Sequence, residues 1–330
     1  MSGQQNHAEP PLSIVIPSHR RADLLRACLN SVMRHAPPDT QVIVVDDASA
    51  DSCISRTARE FPGVEVERLT RNSGFCVAVN RGLQLARAPI VELLNDDTEV
   101  VEGWADAAIA CFEDPRVVAV APLVLRKVEL KTEMCVDSAG DTYHIGGFAQ
   151  KRASGLHANR VETQPIEVFG ASASSAFYRR DALVVAGGMS EDFDAYFEDV
   201  DLSFRLRHAG GIVLFAPQSQ VYHRVHASYG APNRRLLEQQ SRNEERVFWR
   251  NLPAGFLARA LPWHCAAIVA KAWRRLLEGT LPSFVIGRLR ALAEMPALLR
   301  QRQLLIARSS QTVANWPIHT GWRVPGAPRI

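Results

Sequence analysis

No two of the six cysteines, Cys28, Cys53, Cys76, Cys111, Cys135 and Cys265, stand in a CxxC arrangement in this 330-residue chain. Their scatter excludes a dense disulfide framework, and reduced, structural thiols in a cytosolic setting are expected. The first half also lacks a G-x-G-x-x-G turn and a G-x-x-x-x-G-K-[ST] loop. A nicotinamide-dependent dehydrogenase and a P-loop enzyme lose their main sequence support. Residues 1 to 11 are polar and proline-bearing, with no signal-peptide core, so export by that route is not expected. The most apolar stretch, Leu252 to Ala270, is interrupted by Arg259 and His264 and does not read as a membrane span.

What is present is the composition of a folded protein, 47% hydrophobic and 22% charged. That suffices for one large core, or for a large core with a smaller helical annex. Charge is unevenly placed. Residues 1 to 230 carry 22 Lys/Arg against 30 Asp/Glu, whereas residues 231 to 330 carry 16 against 5, a polarity hidden by the net +3. The basic end suits anionic lipid or polyphosphate, and the acidic remainder argues against a nucleic-acid grip spread over the whole molecule.

Hydrophobic patterning predicts a strand from Leu12 to Ile16, then a helix through Leu24, Leu25, Leu29 and Val32. A second strand, Val42 to Val45, is β-branched throughout and reads as buried in a parallel sheet. Asp46-Asp47 leaves its carboxyl end, where open α/β sheets bind ligands. A helix from Val77 through Leu85 and a strand from Ile90 to Leu94 follow, ending at Asn95-Asp96-Asp97. Carboxylates at the end of a buried strand can hold a hard divalent ion that also binds phosphate oxygens. The repeated strand, acidic tip and helix predict an α/β nucleotide-binding unit.

Beyond residue 117 a short strand, Val117 to Val120, precedes a polar, irregular stretch from 126 to 165. In the small-residue run from Gly170 and Ala171 to Ser175, two readings stand: room beside a bound substrate, or a tightly packed strand and turn. Glu198 to Arg207 predicts a helix with Glu198, Asp199 and Asp201 in its first turn, where free backbone N–H groups favour carboxylates.

The motifs Ser13-Ile14-Val15-Ile16-Pro17-Ser18-His19-Arg20, Val44-Val45-Asp46-Asp47-Ala48-Ser49, Arg71-Asn72-Ser73-Gly74-Phe75, Leu94-Asn95-Asp96-Asp97-Thr98 and Phe197-Glu198-Asp199-Val200-Asp201-Leu202 occur in that order. Together they resemble the family 2 inverting nucleotide-sugar glycosyltransferases of the GT-A fold, in particular the bacterial rhamnosyltransferase-like members that build cell-surface polysaccharide. The resemblance covers roughly residues 12 to 228.

It implies an α/β GT-A fold with a mostly parallel central sheet, as a catalytic domain over 12–228, between a flexible tail over 1–11 and a basic, mainly helical extension over 229–330. By resemblance, Pro17 and His19 line the nucleoside pocket, His19 standing where tyrosine is frequent, and Asp47 accepts a hydrogen bond from the base. Asp46 binds the donor or orients the loop; Asn72 and Gly74 lie near base and ribose; Arg71 contacts the donor or caps the turn. Asn95 departs from the strict DxD pattern, leaving Asp96 for sugar or ribose and Asp97 for Mg²⁺ or Mn²⁺. His223, with His226 as the second choice, completes the metal site or contacts diphosphate. Asp199 is implied as the general base, with Glu198, Asp201, Gly170 and Ala171 toward the acceptor.

The implied activity is transfer of a sugar, with rhamnose as a family-level expectation, from a nucleoside-diphosphate donor to a glycan or lipid-linked saccharide of the cell envelope. A processive polysaccharide synthase and a catalytically degenerate binding scaffold are the alternatives. Pro253, Pro262, Pro282 and Pro296 interrupt the C-terminal helices, and Ala272 to Leu277 and Leu298 to Arg302 read as basic amphipathic surface. Lipid-interface binding, at the inner face of the cytoplasmic membrane, and packing on the catalytic domain compete as explanations. Residues 311–330, with Trp316 and Trp322, read as a tail or a docking arm.

Overall fold

The computed structural model describes residues 9–126, 135–224, 233–307, 309 and 316–321. His226, the junction at 228/229, Trp322 and the first eight residues of the expected N-terminal tail lie outside the described residues.

The chain starts as an alternating run: β1 (Ser13–Ser18), α1 (Ala22–His35), β2 (Gln41–Asp46), α2 (Cys53–Arg59), β3 (Val64–Arg68), α3 (Phe75–Leu85) and β4 (Ile90–Leu94). There follow β5 (Thr98–Val100), α4 (Trp104–Ala110), β6 (Val117–Arg126), β7 (Val136–Ser138), β8 (Asp141–His144), β9 (Phe148–Lys151), β10 (Ile166–Val168), β11 (Ser175–Arg179), α5 (Arg180–Ala186), α6 (Glu198–His208) and β12 (Ile212–His223). Four helices and a short strand close the sequence: α7 (Arg234–Asn251), α8 (Ala254–Leu277), α9 (Leu281–Ala293), α10 (Met295–Ala307) and β13 (Ile318–His319).

Ten strands form one sheet in the order β10-β12-β6-β11-β4-β1-β2-β3, with β5 added to β12 and β7 to β6. The helical crossovers make β1, β2, β3 and β4 parallel, as expected from the β-branched run of β2, while the alternating β3 (Val64–Arg68) adds an edge strand that the sequence reading did not include. From β11 onward the sheet is mixed: β11 runs antiparallel to both β4 and β6, while β12 lies parallel to β6. Alternation sends Val15, Ile43, Val45 and Leu93 into one core, and Ile14, Ile16, Val44 and Leu94 into the other. Both faces are therefore covered, which is why these strands read as continuous apolar runs.

The stretch expected to be irregular, 126–165, contains β7, β8 and β9. Strands of three or four residues are too short to display a period, and β8 completes its three-stranded sheet with the distant β13. Trp316, buried against Phe204 and His208, docks this end of the chain. Of the four prolines, Pro253 caps α8, while Pro282 and Pro296 occupy the first turns of α9 and α10. A first-turn proline removes an N–H that has no intrahelical partner anyway. Pro262 alone sits inside a helix, α8.

One buried carboxyl group stands out within the sheet. Glu92 of β4 is fully buried and accepts hydrogen bonds from Trp104 Nε1 at 3.2 Å and Ser175 Oγ at 3.0 Å. Burial raises its pKa to about 8 from the ordinary 4.5, against the smaller opposing effect of those two donors. The folded state thus holds this proton more tightly, and the associated stability, complete below 4.5, is lost as pH rises through about 8. Glu92→Gln, an isostere of the neutral acid, should stabilise the protein by on the order of 2 kcal/mol above that pH. Thermal unfolding across the pH range should show this gain shrink as the solution is acidified.

Candidate active site

Because β1, β2 and β4 are parallel neighbours, their carboxyl ends emerge side by side and line one cleft of about 830 Å³. Pro17, Ser18 and His19 reach it from β1, Asp47 from β2, and Asn95, Asp96 and Asp97 from β4. Asn72 and Gly74 join from the loop before α3.

The two adjacent aspartates after β2 separate in role. Asp46 is fully buried outside the cleft, accepting hydrogen bonds from Ser49 N–H at 2.7 Å, Ser55 N–H at 3.1 Å and Arg68 Nη1 at 2.7 Å. It ties down the β2–α2 turn, the loop-orienting alternative, and has no surface toward a donor. Asp47 faces the cleft and accepts the N–H groups of Ser73 at 2.7 Å and Gly74 at 2.9 Å. Gly74 has φ +91°, and a Cβ there would lie 2.6 Å from Asp194 Oδ1. Only glycine satisfies both constraints. His19 is fixed through Nδ1, 2.6 Å from the Asp47 carbonyl oxygen. Arg71 is exposed and does not line the cleft.

Asp96 accepts a 2.5 Å hydrogen bond from Ser18 Oγ, and burial, aided by the charge of Asp97, raises its pKa to about 7. The antiparallel pairing of β5 with β12 sets His223 opposite Thr98, beside Asp97. His223 Nε2 lies 3.2 Å from Asp97 Oδ1, and Nδ1 lies 3.0 Å from Oδ2 of Asp137, a residue the sequence gave no reason to select. Burial opposes protonation of this imidazole, but the two carboxylates outweigh it and raise its pKa to about 9. Lys151 Nζ, 2.7 Å away, and the His223 hydrogen bond hold Asp137 well below the ordinary carboxylate range despite its burial.

Asp97 oxygen, and His223 nitrogen once its proton is displaced, are donors that suit a hard or borderline divalent ion, and both line the cleft. Among the described residues, no group of three metal-ligating side chains exists. The pair therefore fits an ion that takes its other ligands from phosphate oxygens and water, not one enclosed by protein.

Another wall comes from the start of α6. Asp194, Tyr196 and Phe197 approach it with φ of 63°, 67° and 70°. Such left-handed backbone persists only when its surroundings over-determine it. Here the buried Asn243 amide of α7 donates to the carbonyls of Phe193, Ala195 and Tyr196 at 2.9 to 3.0 Å, and Gln239 donates to the first two. The α6 helix then presents Glu198 and Asp199 to the cleft. Asp199 accepts the N–H groups of Ala173 at 3.1 Å and Val200 at 2.8 Å, which partly offset the upward pKa shift caused by burial. Burial, with the charge of Asp199, raises Glu198 well above its ordinary value.

Three residues assigned toward an acceptor lie elsewhere. Asp201 is fully buried against Arg205, Arg250 and Asn251, outside the cleft lining. At Gly170 a Cβ would meet Ser203 Oγ at 2.4 Å, so Gly170 and the buried Ala171 follow the packing reading. The neighbouring Ser172, Ala173 and Ser174 form the wall instead. Arg126, Asp137, Lys151 and Ser154, and Asn233, Arg235, Leu236 and Gln239 at the start of α7, also line it. Sequence reasoning missed these because they come from short strands and from the helical extension.

A family model described as Glycosyl transferase family 2 matches residues 13–185, just over half of the chain. The chain belongs to this family. It is 25% identical to the N-acetylglucosaminyl-diphospho-decaprenol L-rhamnosyltransferase of Mycobacterium tuberculosis, over 76% of this chain and 88% of that protein. Other curated relatives are 26% to 28% identical, and the chain spans 25%, 63% and 45% of their lengths. In fold it is similar to GalNAc-T7 crystallised with UDP, GalNAc and Mn²⁺, with TM-score 0.59, 18% identity and coverage of 74% of this chain and 51% of that one. It is also similar to the mannosyltransferase PcManGT of Pyrobaculum calidifontis with GDP-Man and Mn²⁺, with TM-score 0.53, 18% identity and coverage of 92% and 86%. The fold is thus α/β and GT-A-like, with the helical C-terminal region outside the matched residues.

In this family 2 protein, Asp137 holds the imidazole nitrogen that faces away from Asp97. A carboxylate in that position fixes the ring and its tautomer for metal binding. Asp137→Asn is expected to weaken Mn²⁺ affinity about 10- to 100-fold, read by calorimetry with and without nucleoside diphosphate. Unaltered Mn²⁺ affinity in the folded variant would show that His223 does not depend on Asp137 for its orientation.

Proposed function

We propose that this protein is an inverting, metal-dependent glycosyltransferase that moves a sugar from a nucleoside-diphosphate donor to a saccharide acceptor. What carries the reading is the convergence in one cleft of Asp47, the Asp97–His223 donor pair and the half-buried Asp199. These supply, in turn, a hydrogen-bond acceptor for a base, a holder for a diphosphate-bound ion and a group able to take a proton.

Pro17, His19, Asn72 and Gly74 enclose the nucleoside, and Asp96 orients the sugar or ribose. Asp97 and His223 would hold Mg²⁺ or Mn²⁺, which when bound would offset the negative charge developing on the departing diphosphate. The acceptor hydroxyl oxygen attacks the anomeric carbon as the bond to the diphosphate oxygen breaks. Its proton passes to Asp199, whose raised pKa suits a proton acceptor better than an ordinary aspartate would. Attack opposite the leaving group inverts the anomeric configuration, with no covalent glycosyl-enzyme. Glu198, buried and with its Oε2 unpartnered among the described residues, is available to an acceptor hydroxyl.

In its finer form the proposal names rhamnose as the sugar and a lipid-linked envelope glycan as the acceptor. The support is the sequence motifs together with likeness to a rhamnosyltransferase that, by its name, acts on a diphospho-decaprenol saccharide. A panel of nucleoside-diphosphate sugars with matched acceptors, followed by product mass, tests sugar and acceptor together.

Asp199→Asn should retain donor binding and lose on the order of 10²-fold or more in single-turnover transfer. Near-wild-type transfer would reject Asp199 as the base, and retained anomeric configuration in the wild-type product would reject single displacement. Asp97→Asn should instead weaken metal-dependent donor binding. Calorimetry with donor and Mn²⁺ separates the two, and metal dependence equal to wild type would remove Asp97 as a ligand.

A further inference from the structure

The outer faces of α8 and α9 are apolar. The inner face of α9 carries Ser283, Phe284, Gly287, Arg288 and Ala291, all buried. Arg288 Nη2 bonds Glu244 of α7 at 2.5 Å, and Gly287 lets α9 approach so closely that a Cβ would sit 2.3 Å from the Glu238 carbonyl oxygen. The outer face carries Val285, Ile286, Leu289 and Leu292, each 39% to 58% exposed. In the second half of α8, Val269, Trp273, Leu276 and Leu277 are 52% to 71% exposed, at spacings of three and four residues that place them on one face. The turn at 278–280 joins the two helices.

A hairpin that points Val, Ile, Leu and Trp side chains outward along its length is not arranged for water. Eight such side chains on one hairpin exceed the singly scattered apolar residues of an ordinary surface. No helix among the described residues is long and apolar enough to cross a membrane, so the hairpin is suited to lying in an interface. The surrounding charge favours anions. Arg259 and Arg300 are exposed on α8 and α10, and Arg274 and Arg290 are exposed beside the carboxylates they pair with, Glu278 and Glu238.

We infer that the outward face of the α8–α9 hairpin inserts into the headgroup and upper acyl region of an anionic bilayer, with the surrounding arginines held at the phosphates. Apolar burial supplies the hold and charge supplies the preference for anionic lipid. The inference rests on the helical surface alone, independently of the proposed sugar transfer, so either can fail without the other.

The test uses the full chain with point substitutions, because removing the C-terminal helices would strip Arg250 and Asn251 from the buried Asp201. Wild type and Trp273→Glu/Leu289→Glu are floated with vesicles of phosphatidylcholine alone and of phosphatidylcholine mixed with phosphatidylglycerol, and sized by light scattering without lipid. Expected are binding to the anionic vesicles, at least tenfold weaker binding by the variant with unchanged circular dichroism, and quenching of wild-type tryptophan fluorescence by brominated lipid. Equal binding of wild type and variant, equal binding to both vesicle types at low salt, or no vesicle binding by wild type would overturn the inference. A wild-type dimer that becomes monomeric in the variant, without vesicle binding by either, would assign the face to a second copy of this chain.

Discussion

The arrangement of the cleft depends on one buried carboxylate. Asp201, with no exposed surface, is held by Arg205 from its own helix, by Arg250 at 2.6 Å and by Asn251 at 2.7 Å from the end of α7. Burial alone would raise its pKa, but the two arginines hold it below the ordinary aspartate value. Removing one partner from such a set leaves an uncompensated charge and costs about 3–5 kcal/mol. Helix α6, which presents Glu198 and Asp199 to the cleft, and the first helix of the C-terminal region therefore act as one structural unit.

That coupling explains how a strained approach to α6 persists. Three residues with left-handed backbone precede Glu198 and Asp199, and the amides of Asn243 and Gln239 occupy the carbonyls this conformation turns toward α7. The same helix contributes Arg235, Leu236 and Gln239 to the cleft wall. Carboxylates at the start of α6 are thus positioned from two sides, by free N–H groups on their own chain and by a neighbouring helix.

Charge organises the C-terminal region differently from the sheet. The sheet is buried on both faces by aliphatic side chains, whereas α7, α9 and α10 meet through pairs such as Arg288 with Glu244 and Arg246 with Glu294. Part of the inner face of α9 is thus given to Ser283 and Arg288, while Val285, Ile286, Leu289 and Leu292 face outward. Basic composition and an outward apolar stripe are consequently two aspects of the same helices.

The α/β class, the parallel core and the acidic tips were legible in the sequence because each follows from a local period or a local motif. Alternation within β1, β2 and β4 specifies burial on both faces, and strand direction then brings Asp47, Asp96 and Asp97 to one edge. Sequence also pointed to His223 and Asp199, which do line the cleft. It left Asp46 between binding the donor and orienting the loop, since only the turn between β2 and α2 shows that this carboxylate is enclosed. Nor could it find Asp137, whose place beside His223 comes from β7 and β12 both pairing with β6. Asp201 lay in a recognised motif, yet its partners stand 49 and 50 positions away. Periodicity reports what each element does alone, while contacts between side chains far apart in sequence exist only once the elements have packed.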